Sequence, residues 1–347
     1  MADSTLPLVR RFPALGRIPR VALGTFPTPL ERVRHASLAG ELWVKRDDLS
    51  ATLLGGNKVR ALEWLLGDLR AGDTVVTIGG EGSTHVLATA EHAAALGIRT
   101  HAARWRHDMH PVAHAVGARA GALVATRAIH RTPAGAIFRA WRLQLGGARW
   151  IPGGGTTPLG ILGHVNAALE LAEQAAAGEM PAPSAIVVPL GTGGTAAGIA
   201  LGLAIAGLDC TVVCARVAPR IVANAWRVRA LANATARFIE RRTGERVPRV
   251  PGARIRVTHA VYGGAYGRPL VAAGDWAAAA RETLGLTLDD TYSAKAFAAA
   301  LDLARAGEPV TLFWSTFDAR WLSTAAVGRR LSAVGEPTSS SRNANGV

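Results

Sequence analysis

The chain has 347 residues, 49% of them hydrophobic, which is enough for two compact lobes and too much for one simple core. No apolar run reaches the roughly 20 residues of a membrane helix, and residues 1–19 lack an apolar signal core despite their arginines, so a cytoplasmic, membrane-free protein is expected. The 39 basic and 25 acidic side chains leave a net charge of +14, but the arginines are scattered without a dense run or aromatic interleaving; this argues against nucleic acid and fits solvated surface together with an anionic cofactor or substrate.

Only three of the basic residues are lysines: Lys45, Lys58 and Lys295. Where arginine serves as the ordinary cation, a retained lysine marks work that needs an amine able to lose its proton. The first of them opens Lys45-Arg46-Asp47-Asp48-Leu49, and the second closes Gly55-Gly56-Asn57-Lys58 at the start of a helix predicted over 58–70, with Val59, Leu62, Leu65, Leu66 and Leu69 on one face. Near the positive end of that helix the ammonium form is disfavoured, so Lys58 is suited to attack a cofactor aldehyde. An ordinary helix-start cation is the competing reading, weakened by the scarcity of lysine.

A strand predicted at 74–78 leads into Gly79-Gly80-Glu81-Gly82-Ser83-Thr84-His85 and a helix over 85–96. The loop amides and hydroxyls suit a substrate carboxylate, and Ser83 suits a proton relay, although a polar turn without function fits these residues equally. His107, His110 and His114 include the i, i+4 spacing of metal ligands, but no third ligand matches; Asp108 and Pro111 read as a helix start at the surface, so no metal is expected. Arg139, Trp141, Arg142 and Trp150 mimic a nucleic-acid patch and fit better an amphipathic helix with one face in the core.

Gly- and Pro-rich breaks at 54–56 and 151–158 bracket a segment that alternates strand and helix on its own. A smaller inserted lobe over 55–158 is expected, with 1–54 and 159–334 forming the larger one. In the larger lobe a helix is predicted over 159–177, then a strand over 185–190 feeding Gly191-Thr192-Gly193-Gly194-Thr195 and a helix over 196–206. Glycines that admit an anion, successive amides and two hydroxyls make this loop a candidate phosphate cradle. With Ala196 it also matches a loose dinucleotide fingerprint, whose ribose-binding acid is replaced downstream by Ala215 and Arg216; Arg216 suits a 2′-phosphate, so that reading stays open.

Cys210 and Cys214 fall in an apolar run and read as buried free thiols. A helix over 221–241 and a strand over 310–314 follow, and residues 335–347, rich in Ser, Asn and Gly, are expected to be unstructured. The fold class predicted is α/β, two lobes each holding a mostly parallel sheet flanked by helices.

Taken in order, these elements resemble the D-cysteine desulfhydrase and 1-aminocyclopropane-1-carboxylate deaminase family of fold-type-II pyridoxal-phosphate enzymes, over about residues 26–314. The supporting stretches are Val44 to Asp48, Gly55 to Lys58, the Ser83 loop, Ile151 to Gly163, Gly191 to Thr195, Ala265-Tyr266-Gly267 and Leu288 to Lys295. The resemblance implies that Lys58 holds pyridoxal phosphate as a Schiff base and later moves the proton at the substrate α-carbon. It also implies that Asn57, Thr84 and Gly191 to Thr195 contact the cofactor, with Thr316 by the pyridine nitrogen. Ser83, Thr84, His85 and Thr156 would bind a small amino-acid substrate, Ser83, Tyr266 and Tyr292 would join Lys58 in catalysis, and the enzyme would be a homodimer.

The chain departs from the family around the substrate. The usual Gln-Ser-Asn-His reads Gly82-Ser83-Thr84-His85, the usual Gly-Gly-Ser-Asn-Pro reads Gly154-Gly155-Thr156-Thr157-Pro158, the Gly-Gly after the terminal Thr reads Phe317-Asp318, and the acid of the deaminase branch is Ser293. Loss of that acid argues against cyclopropane opening, and Gly82 is expected to enlarge the pocket or to leave a contact for the substrate to fill, so the substrate is expected to differ from D-cysteine. A pyridoxal-phosphate lyase acting by β-elimination, a β-replacement synthase, an NADP-dependent oxidoreductase and a non-catalytic cofactor-binding homologue all remain open on sequence alone.

Overall fold

The computed structural model describes residues 6–109, 111–126, 128–263, 280, 285–289 and 292–322. Tyr266, His110 and residues 335–347 lie outside them. The strands are β1 (Leu30–Val33), β2 (Glu41–Arg46), β3 (Thr74–Gly80), β4 (Arg99–Trp105), β5 (Ile129–His130), β6 (Arg149–Ile151), β7 (Ala185–Leu190), β8 (Thr211–Arg216), β9 (Ile255–Thr258) and β10 (Val310–Ser315). The helices are α1 (Pro7–Arg11), α2 (Asn57–Leu65), α3 (Thr84–Ala95), α4 (Pro111–Leu123), α5 (Pro133–Leu145), α6 (Pro158–Ala176), α7 (Gly194–Ala206), α8 (Ala225–Thr243) and α9 (Ser293–Arg305).

Two sheets result. One runs β1-β2-β10-β7-β8-β9, drawing strands from both ends of the chain, and the other runs β5-β4-β3-β6 from the stretch between them. β1 pairs antiparallel with β2, and the remaining pairings are parallel. Parallel strands are covered on both faces, and β7 accordingly reads as the unbroken apolar run Ala185-Ile186-Val187-Val188-Pro189-Leu190. Ile186 and Val188 pack with Ile161, Val165, Ile199 and Val228 of α6, α7 and α8. Val187 faces the other way, to Phe297, Leu301 and Phe313, where α9 closes the sheet. In the smaller sheet Val75 packs under α3 and α4, while Val76 packs under Ala136 and Ala140 of α5.

Two expectations change. The helix predicted over 58–70 stops at Leu65, because Gly67 lies against the main chain of Pro19 and Arg20, where a Cβ would sit 2.6 Å from Arg20 Cα. The helix predicted from 221 starts at Ala225, where Asn224 Oδ1 accepts the Arg227 N–H at 2.8 Å. α5 keeps one face in the core, as expected, through Ala136 and Ala140, while its large apolar residues Ile137, Phe138, Trp141 and Leu145 are each more than half exposed. Cys210 and Cys214 are buried, their thiols pushed up to about 12 by burial. Among the described residues no helix is long and apolar enough to cross a membrane.

Candidate active site

β7 and β10 are neighbours, so their carboxyl ends deliver two loops side by side: Gly191–Thr195 after β7 and Thr316 after β10. Crevices at the carboxyl ends of parallel strands are where α/β sheets bind ligands. The N-cap of α7 is Gly193, at φ 93°, a conformation that suits glycine, and it offers no side-chain cap. By contrast α3, α5, α6 and α8 are capped by Ser83, Thr132, Thr157 and Asn224. The first-turn amides of α7 thus have no side-chain acceptor and stand ready for an anion.

The hydroxyls of this cradle tie it to its surroundings. Asn57 Nδ2 donates to Thr195 Oγ1 at 2.7 Å, and Thr156 Oγ1 donates to Thr192 Oγ1 at 2.7 Å. Among the described residues a Cβ at Gly191 would meet only the Tyr292 ring, at 3.7 Å. Arg227 of α8 donates from Nε to the Thr192 carbonyl at 3.1 Å, bringing a cation to the cradle. No spacing in the sequence marks Arg227; its one signal is the N-cap Asn224 three residues earlier.

Lys58 is the second residue of α2, whose N-cap Gly56 has φ 107°. The Gly56 N–H donates to the Asp47 carbonyl at 2.8 Å and the Asn57 N–H to the Thr316 carbonyl at 3.0 Å, so the lysine loop is fixed by main chain. Burial pushes the Lys58 amine down to about 8. Its side chain retains some surface contact, but among the described residues no carboxylate or hydrogen-bond partner stands beside it. The other lysines differ. Lys45 is sealed in a buried network, bonded to Glu170 at 2.6 Å, to the Thr28 carbonyl at 2.7 Å and to Gln174. Lys295 donates to the Tyr262 carbonyl at 3.1 Å.

At the end of β3, Ser83 caps α3 by accepting the Val86 N–H at 3.4 Å, with Thr84 opening the helix. His85 is buried with Nε2 2.9 Å from Thr77 Oγ1, and its basicity is pushed down to about 3, first by burial and then by the Lys58 charge. It is therefore neutral at physiological pH. His164, 3.5 Å from Thr195 Oγ1, is held well below its ordinary value by burial and then by Lys58 and Arg60. Gly82 does not enlarge the pocket: a Cβ there would meet Ala113 Cβ and carbonyl oxygen at 2.7 Å, so α4 occupies the space a longer side chain would need.

Asn57, Thr156, Thr192, Thr195 and Thr316 thus meet in one cluster, Tyr292 flanks it at Gly191, and the Lys58 charge is felt at His85 and His164 beside it. The Ser83 loop adjoins it through Gly155, where a Cβ would lie 3.8 Å from His85 Cε1. Tyr266 lies outside the described residues. The nicotinamide reading of the cradle gains no support, because Arg216 is engaged with His259 Nδ1 at 2.8 Å and the Ala218 carbonyl at 3.0 Å.

An amine for an aldehyde, and an uncapped helix start for a phosphate, fit pyridoxal phosphate. The family model described as "Pyridoxal-phosphate dependent enzyme" matches residues 21–310, and the chain belongs to that family, taking pyridoxal phosphate as its cofactor. Nocardicin C-9′ epimerase of Nocardia uniformis is 34% identical over 88% of this chain and 94% of its own length. D-cysteine desulfhydrase of Salmonella choleraesuis is 32% identical (83% and 89%), and a putative 1-aminocyclopropane-1-carboxylate deaminase of Pyrococcus furiosus 31% (85% and 89%). The crystal structure of a 1-aminocyclopropane-1-carboxylate deaminase homologue superposes with TM-score 0.74 at 28% identity, covering 93% of this chain and 98% of the other. Within the family the chain is a divergent member of this branch.

Proposed function

We propose that the protein removes the α-proton of a small amino acid and expels a β-substituent, releasing a keto acid and ammonia. One observation carries the reading: a buried amine without an acid partner, its basicity lowered to about 8, sits one residue from an asparagine that hydrogen-bonds the anion cradle. Bound pyridoxal phosphate supplies the electron sink for the α-carbon. Lys58 Nζ takes and returns the α-proton. The amides at the start of α7 would hold the phosphate with Thr192, Thr195 and Arg227, and Asn57 and Thr84 would contact the rest of the cofactor. The substrate carboxylate falls to Ser83, Thr84 and the α3 amides, because neutral His85 brings no charge to it and serves to pack the loop. Tyr292 would lie on the substrate side, and Thr316 would offer the ring nitrogen a hydroxyl, which would leave the ring a weaker electron sink and favour elimination over transamination. The same reading places the enzyme in the cytoplasm as a homodimer, residues 55–158 forming its smaller domain.

The altered residues around Ser83, Thr156 and Ser293 support a substrate other than D-cysteine. A second reading, epimerisation, draws on the relative named nocardicin C-9′ epimerase and shares the α-proton step. Incubating the purified protein with D-cysteine, D-serine, 1-aminocyclopropane-1-carboxylate and a wider amino-acid panel in heavy water separates these. Keto acid and ammonia identify elimination; α-deuterium in the mirror-image product without ammonia identifies epimerisation. Fastest turnover of D-cysteine contradicts the altered substrate.

A further inference from the structure

The two residues that replace the family's Gly-Gly after Thr316 build a contact that glycines cannot make. Asp318 Oδ2 accepts the Gly55 N–H at 3.0 Å. Arg320 grips the same carboxylate from Nε at 2.8 Å and Nη2 at 2.7 Å, and its own N–H adds a bond to Oδ1 at 3.0 Å. The guanidinium also reaches the Asp48 and Ala51 carbonyls, at 3.3 and 3.2 Å, on the segment that leads into Gly55. With the Gly56–Phe317 bridge and the bond from the Asn57 N–H to the Thr316 carbonyl, residues 316–318 lie along 55–57 like a short extra strand. Gly55 is confined as well, since a Cβ there would run into the Asp48 carbonyl.

We propose that Asp318, locked by Arg320, is a positioning residue that sets where the Lys58 amine stands. It acts through Gly55 and touches no reacting atom. Asp318 is buried, and its carboxylate is held below the ordinary range by the hydrogen bonds of Arg320 and of the Gly55 N–H against the opposing effect of burial, so it stays ionised and accepting across neutral pH. Phe317 anchors the strap from the other side, packed edge-on to Trp321 with ring centres 6.5 Å apart. A glycine pair at these positions would leave the Gly55 N–H without this acceptor.

The proposal rests on Lys58 carrying the cofactor, and the test keeps the two apart. The holoenzyme and its Asp318→Ala, Asp318→Asn and Arg320→Gln variants are reduced with borohydride, then compared, unreduced, by pH titration of the visible band and by the rate of pyridoxal-phosphate release. Asp318→Ala is expected to keep its fold and trappable cofactor but shift the titration midpoint by about one unit and release cofactor about tenfold faster. Asp318→Asn, which preserves an acceptor for Gly55, restores most of both, and Arg320→Gln moves them part of the way. An unshifted midpoint and release rate in Asp318→Ala, or an Asp318→Asn as altered as Asp318→Ala, overturns the positioning role. Should Asp318→Ala fail to fold, an Arg320→Gln identical to the parent does so. Absence of trapped cofactor on Lys58 in the parent overturns the underlying reading instead.

Discussion

An amine buried without an acid beside it loses part of its affinity for protons, and that would govern the capture of an aldehyde proposed for Lys58. Its acidity near 8 means that, at neutral pH, far more of it is free base than an ordinary lysine at 10.5 would offer. The sign follows: pyridoxal-phosphate capture by the cofactor-stripped protein rises with pH up to about 8 and then levels, whereas an unperturbed lysine would keep accelerating towards 10. Stopped-flow absorbance across that range measures it. Replacing Lys58 by Ala is expected to abolish covalent capture and to lower α-proton exchange by about 100-fold or more. Lysine scarcity singles out three positions but says nothing of burial partners, and Lys45 illustrates the gap. It survives because a compact ammonium serves Glu170, the Thr28 carbonyl and Gln174 at once, a long-range arrangement spanning 125 residues from Lys45 to Glu170.

At the scale of elements, the proposed chemistry falls to the glycine-opened helices. α7 and α2 start on Gly193 and Gly56, both at positive φ and both without side-chain caps. Gly193→Ala should cost about 1–2 kcal/mol in backbone strain, read as roughly tenfold weaker cofactor binding by fluorescence titration, with the circular dichroism unchanged. These starts were legible because glycine spacing is local. What α4 does to Gly82 was not: a missing side chain reads as added space until Ala113 is seen filling it. Helix ends at Leu65 and Ala225 likewise depended on Gly67 meeting Pro19 and on an Asn224 cap, one a tertiary contact and the other hidden within a longer apolar pattern.

Across the whole molecule, alternating strand and helix signals announced two mostly parallel sheets, while the pairing of β10 between β2 and β7 depends on contacts across some 270 residues of chain. The buried charges that brace this closure were invisible in the sequence. Arg60 bonds Asp47 at 2.7 and 2.9 Å and Glu170 at 2.9 Å, and Trp314 of β10 donates to Asp47 at 2.7 Å. Arg60→Leu removes the guanidinium from buried Asp47 and leaves Glu170 with Lys45 as its cation, and is expected to destabilise the fold by about 3–5 kcal/mol in denaturant titration. The outward stripe on α5 supports the proposed homodimer, since a helix apolar on both faces is ordinarily covered and the second copy is the occupant proposed here. Its four side chains expose on the order of 400 Å², about half of what one partner of a standard interface buries. Trp141→Glu is expected to shift sedimentation from dimer to monomer, whereas an unchanged sedimentation profile removes α5 from the interface.

The most direct measurement is spectroscopic and chemical together. The purified protein is given pyridoxal phosphate, reduced with borohydride and digested for mass spectrometry. The account predicts a yellow protein whose visible band vanishes on reduction and whose cofactor adduct lies on the peptide containing Lys58. A protein that stays colourless with added cofactor, or an adduct on Lys45 or Lys295, would contradict it.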